Sequence, residues 1–118
     1  MTNNKPVLEV YQTGELTVVG FGGQEILDQI DLTGCRAEVV ALVEQHKCKI
    51  LAFDMTGVKL VPSGMLGLLT SIRNLGVEVQ IYNPSHDVNE VLEITRLNTI
   101  MSVHFIDVHA KKDGETAK

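Results

Sequence analysis

The spacing of apolar residues changes several times along the chain, and each change marks an element. From Val7 to Gln12, the residues Val7, Glu9 and Tyr11 alternate with Leu8, Val10 and Gln12. That period of two predicts a half-buried strand. Thr13-Gly14 is a turn signal, and Glu15-Leu16-Thr17-Val18-Val19 reads as the second arm of a hairpin. Gly20-Phe21-Gly22-Gly23 then loosens the backbone into a bend or bulge. This run has neither the Lys-Ser/Thr ending of a P-loop nor the spacing of a dinucleotide fingerprint.

Thr33 and Gly34 open the next element, with Thr33 as the expected N-cap. Between Cys35 and His46, Val39, Val40, Leu42 and Val43 form one helical face, while Glu38, Glu44, Gln45 and Lys47 turn to water. Lys49 to Asp54 is a near-continuous apolar run, the mark of a strand that helices cover on at least one side. Ser63 to Leu75 places Met65, Leu66, Leu68, Leu69, Ile72 and Leu75 at helical spacing, with Gly76 as the stop. Val77 to Tyr82 alternates again. Asn83-Pro84-Ser85 ends that strand and starts a helix running through Leu97, lined on one side by Val88, Val91, Leu92 and Ile94. Ile100 and Val103 to Val108 give a last short strand. The order β-β-(β)-α-β-α-β-α-β predicts parallel strand pairs joined by right-handed helical crossovers. No repeat or linker divides the chain. The expectation is one domain over residues 7–108, between a flexible segment 1–6 and a disordered tail 109–118.

Composition adds bounds. Of 118 residues, 44% are hydrophobic, 21% charged and only 4% aromatic, so the core is built from Val, Ile and Leu. A domain of this length buries roughly two-thirds of its unfolded surface and needs no metal or disulfide staple. The net charge of −5 argues against nucleic acid and favours a basic protein partner. Cys35 and Cys48 have no redox or zinc spacing. A disulfide is one reading; the expectation is two reduced thiols acting as small hydrophobes. Met1 to Pro6 lacks the apolar core of a signal peptide, and no apolar run approaches the ~20 residues of a membrane span. A cytoplasmic location, without membrane insertion, is expected.

The candidate chemistry lies where the strand ending at Asp54 passes through a loop to Ser63-Gly64 and an apolar helix. This layout puts a hydroxyl beside the backbone N–H groups of a helix start. Val61-Pro62-Ser63-Gly64-Met65 lacks both glycines of a nucleophile elbow. His46, His86, His104 and His109 belong to no triad pattern, and in one strand His104 and His109 would face opposite ways. Asp54 and Asp31 are available as an acid–base pair, but a carboxylate at a strand end more simply bonds local backbone. Neither a catalytic residue nor a metal or cofactor is expected.

Asp54-Met55-Thr56-Gly57-Val58, followed by Ser63-Gly64-Met65-Leu66-Gly67-Leu68-Leu69, resembles the signature of the STAS domain. That family comprises sulfate-transporter tails and anti-sigma factor antagonists. Gly76-Val77-Glu78-Val79, Tyr82-Asn83-Pro84-Ser85, Val88 and Val91-Leu92-Glu93-Ile94-Thr95-Arg96-Leu97 are similar to its final strand–helix unit. The match runs from about Val7 to Ile106. It implies a single α/β domain, a mixed sheet with helices packed mainly on one face. It also implies a non-enzymatic module binding a protein, typically an anti-sigma factor with a histidine-kinase-like ATPase domain that acts as a serine kinase. A homodimer is compatible with it.

In the family the loop reads Asp-Ser-(Ser or Thr)-Gly, and the second hydroxyl accepts phosphate. Aligned without gaps, Pro62 falls on the Asp, Ser63 on the first Ser, Gly64 on the acceptor and Met65 on the Gly. A one-residue slip makes Ser63 the acceptor but disturbs the match at Leu66-Gly67. Ser63 therefore has two readings. As an N-cap it would contribute ~1 kcal/mol. As a phosphate site it would present about −1.5 to −2 charges to the helix N-terminus and to any docked partner. The resemblance implies a contact surface of Gly57, Val58, Lys59, Pro62, Ser63, Gly64 and Met65, extended by Arg73 and Asn74 and flanked by Asp28, Gln29 and Asp31. Two alternatives stay open: a cytoplasmic regulatory subunit of a lipid or anion transporter, and a nucleotide or small-ligand sensor using the loop Gly57 to Ser63.

Overall fold

The computed structural model describes residues 7–27 and 30–106. Its five strands are β1 (Glu9–Gln12), β2 (Leu16–Gly20), β3 (Ile50–Asp54), β4 (Glu78–Tyr82) and β5 (Ser102–His104), in that order across one sheet. β1 pairs antiparallel with β2, and the other three pairings are parallel. The helices are α1 (Leu32–His46), α2 (Ser63–Arg73) and α3 (His86–Ile94), followed by a 3₁₀ turn, Leu97–Thr99. Because β2 to β5 step in one direction, right-handed crossovers place all three helices on the same face. The core confirms this. Val19, Leu51, Phe53, Val79 and Ile81 project from that face into one cluster with Cys35 and Val39 of α1, Met65, Leu69 and Ile72 of α2, and Val88 and Leu92 of α3. The fold is the expected single α/β domain with a mixed sheet and helices on one face.

The alternate residues of the strands, among them Val18, Ala52, Asp54, Gln80, Tyr82 and His104, project from the other face. No described helix covers it.

Several element ends differ from the pattern, each for a local reason. β1 is exposed at all four residues, as the edge strand of the sheet, separated from α1 by an open cleft between Val10 and Leu42. α1 begins at Leu32 with Asp31 as its N-cap, accepting from Gly34 N at 3.0 Å, so Thr33 is inside the helix. α3 ends at Ile94, where Thr95 Oγ1 bonds back to Val91 O at 2.8 Å and Arg96 turns left-handed at φ 64°. Ile94 at that end is exposed, and so is Leu75, which lies beyond the end of α2 at Arg73; both lie off the faces assigned to them. The last strand is only Ser102–His104, and Val108 lies outside the described residues, as do segments 1–6 and 109–118. The optional short strand after β2 is a single bridge between Ile26 and Leu60. Cys35 and Cys48 are free, buried thiols, and no disulfide joins them.

Candidate functional site: a clamped loop at the carboxyl end of the sheet

The loop from β3 to α2 starts in a turn that its own side chains close. Asp54 Oδ1 accepts from Thr56 N (3.0 Å) and Thr56 Oγ1 (2.6 Å), the local role expected of a strand-end carboxylate. Thr56 Oγ1 also accepts from Asn83 Nδ2 at 3.2 Å, tying the turn to the end of β4. Gly57 takes φ 85°, a left-handed conformation suited to glycine, and Val58 N reaches back to Met55 O at 2.9 Å. Met55 and Val58 are buried beneath the loop.

The second half of the loop is held by the β2–α1 connection. Leu27 N donates to Leu60 O (3.0 Å), and Glu25 O accepts from Lys59 N (2.6 Å) and Leu60 N (3.2 Å). Lys59 Nζ and Glu25 Oε1 are 3.6 Å apart, but both side chains are well exposed, so this ion pair contributes ~1 kcal/mol at most. The clamp is the backbone, anchored by the fully buried Leu27. Its outer surface presents Ile26 and Leu60, bridged to each other and exposed at 53% and 51%. Sequence reading did not single out this apolar pair. Each stands in an apolar pair, Ile26-Leu27 and Leu60-Val61, and the sequence does not say which member turns outward.

Ser63 is the first residue inside α2. Pro62 occupies the N-cap position, where no side chain caps the helix. The expected Ser63 cap bond therefore does not form, because a residue with helical backbone cannot swing its hydroxyl onto the following turn as an N-cap does. Ser63 is exposed and its hydroxyl has no hydrogen bond among the described residues. Gly64 is exposed too, and a Cβ added to it would stand 2.6 Å from Leu32 Cδ1 at the start of α1.

The structure brings only part of the expected surface together. Gly57, Lys59, Pro62, Ser63 and Gly64 share one end of the molecule. Val58 and Met65 are buried, which removes their side chains from any contact surface. Arg73 and Asn74 are exposed but lie at the far end of the eleven-residue α2, about 16 Å away by helical rise. Arg73 Nε is engaged with Ile100 O at 3.1 Å. Asp31 is exposed and occupied as the α1 cap; Asp28 and Gln29 lie outside the described residues. A catalytic pair of Asp54 and Asp31 finds no support, since each carboxylate bonds its own neighbouring backbone. His104 is stacked on Tyr82 at 4.8 Å, with Nε2 buried and without a partner among the described residues. His86, Asp87 and Glu90 bring possible ligand atoms within 4.8 Å of one another on exposed α3, and nothing else there points to an ion.

No protein-family model matches the chain, and no curated protein matches it in sequence. Solved structures do match its fold. The unphosphorylated form of the anti-sigma factor antagonist SpoIIAA is similar with a TM-score of 0.71 and 16% identity, over 93% of this chain and 99% of that one. An anti-sigma-factor antagonist (STAS) domain protein from Planctomyces limnophilus gives 0.67 and 17%, over 87% and 93%. The phosphorylated form of the Bacillus cell fate determinant SpoIIAA gives 0.61 and 15%, over 92% and 99%. The chain has the STAS fold of these proteins. Among the described residues, no helix is long and apolar enough to cross a membrane.

Proposed function

We propose that the chain is a non-enzymatic interaction module of the anti-sigma factor antagonist type, docking a kinase-like anti-sigma factor through the clamped loop and the start of α2. The observation that carries this reading is the exposed pair Ile26 and Leu60, held by backbone hydrogen bonds between the two loops, with Leu60 three residues before Ser63. Apolar side chains displayed on a pre-organised loop cost little to order on binding and form the usual centre of a protein interface. Lys59, Gly57, Pro62 and Ser63 complete the surface. The fold shared with SpoIIAA supports the same reading. A sensor site at Gly57 to Ser63 has less support, since Val58 and Met65 fill the space beneath that loop.

The phospho-switch in this reading is altered. Gly64 holds the aligned acceptor position, so any phosphate is carried by Ser63, whose hydroxyl is exposed and uncommitted. Titration calorimetry with the kinase-like anti-sigma factor of the same cell tests the proposal. Leu60→Asp and Ser63→Glu are each expected to weaken binding at least about tenfold, the scale of one interface hot spot. Unchanged affinity in both variants moves the interface elsewhere. Phosphate on Thr56 or Thr70 after incubation with that kinase and ATP removes the start of α2 as the switch.

A further inference from the structure

The face of the sheet opposite the helices carries a second feature that the docking surface does not use. A cavity of about 290 Å³ opens there, lined by Leu16, Val18, Ala52, Asp54, Tyr82, Asn83 and Ile106. Its floor is apolar: Leu16 and Val18 come from β2, and Ala52 from β3. Its polar end follows from strand register. Gly20 of β2, Asp54 of β3, Tyr82 of β4 and His104 of β5 stand in one row across the sheet.

Aromatic rings flank the carboxylate in that row. On one side the Tyr11 ring lies over Gly20, so close that a Cβ on Gly20 would be 2.6 Å from the ring. Burial first, then the nearby Glu9 and Asp54 carboxylates, pushes the Tyr11 hydroxyl above its ordinary 10.0, against a hydrogen bond with the Gly22 backbone. On the other side Tyr82 is held by stacking on His104 at 4.8 Å, and its hydroxyl donates to Gln80 Oε1 at 2.8 Å. His104 takes the β5 side of the ring and leaves the opposite side to the cavity.

The lining polar groups are nearly all spent. Asn83 donates through Nδ2 to Thr56 and accepts at Oδ1 from Ile106 N at 2.6 Å. Asp54 uses Oδ1 for Thr56, and its Oδ2 has no partner among the described residues. No Lys or Arg lines the cavity.

We infer that this cavity is a binding site for a small quaternary alkylammonium ion, seated on Leu16, Val18 and Ala52 with its charge between the Asp54 carboxylate and the face of Tyr82. Charge complementarity selects a cation, because among the described residues the cavity has no Lys or Arg and its only charged group is a carboxylate with one oxygen, Asp54 Oδ2, unpartnered. Hydrogen-bond supply selects the quaternary class. A primary ammonium has three donors to satisfy, whereas a trimethylammonium group has none and is held by a negative charge and aromatic faces alone. The site opens on the face of the sheet opposite the helices and shares with the docking loop only the turn that Asp54, Thr56 and Asn83 close.

The test is an NMR titration of the ¹⁵N-labelled full chain with choline and, separately, with 3,3-dimethylbutan-1-ol, its uncharged carbon isostere. Choline is expected to shift the amides of Val18, Ala52, Asp54 and Tyr82 saturably, and the isostere to bind at least about tenfold more weakly. Asp54→Asn keeps an acceptor for Thr56 and is expected to reduce choline affinity about tenfold or more. Tyr82→Leu keeps apolar bulk and is expected to lose about 2- to 30-fold through the missing aromatic face. Equal binding of choline and its isostere to the unmodified protein overturns the proposal without reliance on any variant. So does an absence of choline-dependent shifts at these amides.

Discussion

Gly64 and Leu32 are matched across the α1–α2 contact: a Cβ at Gly64 would come within 2.6 Å of Leu32 Cδ1. The residue aligned with the family's phosphate acceptor is thus one whose missing side chain leaves room for the first residue of α1. The obstructing atom is the tip of a half-buried, flexible side chain, so the close approach is adjustable. Gly64→Ser gains up to ~0.5 kcal/mol in helix propensity and loses a similar amount by displacing Leu32. Urea unfolding is expected to place this variant within about 1 kcal/mol of the parent. In a Leu32→Ala background the same change becomes stabilising, giving a coupling of about 0.5–1 kcal/mol. Additive behaviour of the two substitutions would show that they do not meet.

Ser63 gives a second prediction, because its position inside the first turn separates two roles that sequence alone leaves together. With Pro62 at the N-cap and no side-chain cap bond, Ser63→Ala is expected to change stability by less than about 0.5 kcal/mol. Ser63→Glu places negative charge at the positive end of the helix dipole and is expected to stabilise the isolated protein by about 0.3–1 kcal/mol. Under the proposed docking role the same variant is expected to weaken partner binding. Opposite signs in stability and affinity identify a surface residue with a docking role. A loss of 1 kcal/mol or more in Ser63→Ala would reinstate the cap.

Much of this fold is legible in the sequence because its sheet is mainly parallel. Ile50-Leu51-Ala52-Phe53 is apolar on both faces, and the helical spacing of Met65, Leu68, Leu69 and Ile72 is dense enough to fix α2. These periodicities state what is buried and nothing of how ends are closed. Asp31 and Thr33 are both good caps, and the choice between them depends on where the β2–α1 connection delivers the chain. Ile94 follows Val91 at a helical period but stands two residues from the buried Leu92, on the other side of the helix, and at the helix end it is exposed. The candidate site is hardest to read. Ile26 and Leu60 come from loops 34 residues apart and meet because backbone bonds from Leu27 N to Leu60 O and from Lys59 N and Leu60 N to Glu25 O join the two loops. The row of Gly20, Asp54, Tyr82 and His104 likewise exists only through strand register, which no single segment encodes.

The start of α1 supplies a third prediction. Asp31 Oδ1 accepts from Gly34 N at 3.0 Å, while a Cβ on Gly34 would come 2.6 Å from Asp31 Oδ2. Asp31→Ala is expected to lower stability by about 0.5–2 kcal/mol, whereas Thr33→Ala changes it by less than about 0.5 kcal/mol. Gly34→Ala, usually favourable inside a helix, is expected to be destabilising here because the new methyl group displaces the cap. Thermal unfolding of the three variants distinguishes this arrangement from one capped by Thr33, which would invert the first two results.

Cys35 makes stability depend on alkaline pH. Burial first, then the Glu38 and Asp31 carboxylates, pushes its thiol from an ordinary 9.0 up to about 12. Between those two values the unfolded chain has released the thiol proton and the folded chain still holds it. The folded state then binds more protons than the unfolded state, so unfolding free energy falls as pH rises. The contribution is fully present below pH 9.0 and is lost progressively up to about 12, at no more than about 1.4 kcal/mol per pH unit. Other groups titrate in this window, so the measurement is the difference between the parent and Cys35→Ala in denaturant unfolding at pH 8, 9.5 and 10.5. The parent is expected to lose stability more steeply over that series, although the variant starts lower because the core has lost a buried side chain. Identical slopes would mean that the Cys35 thiol releases its proton as readily in the folded chain as in the unfolded one. In that case iodoacetamide would label it at pH 8 without unfolding, whereas the buried thiol is expected to resist labelling until denaturant is added.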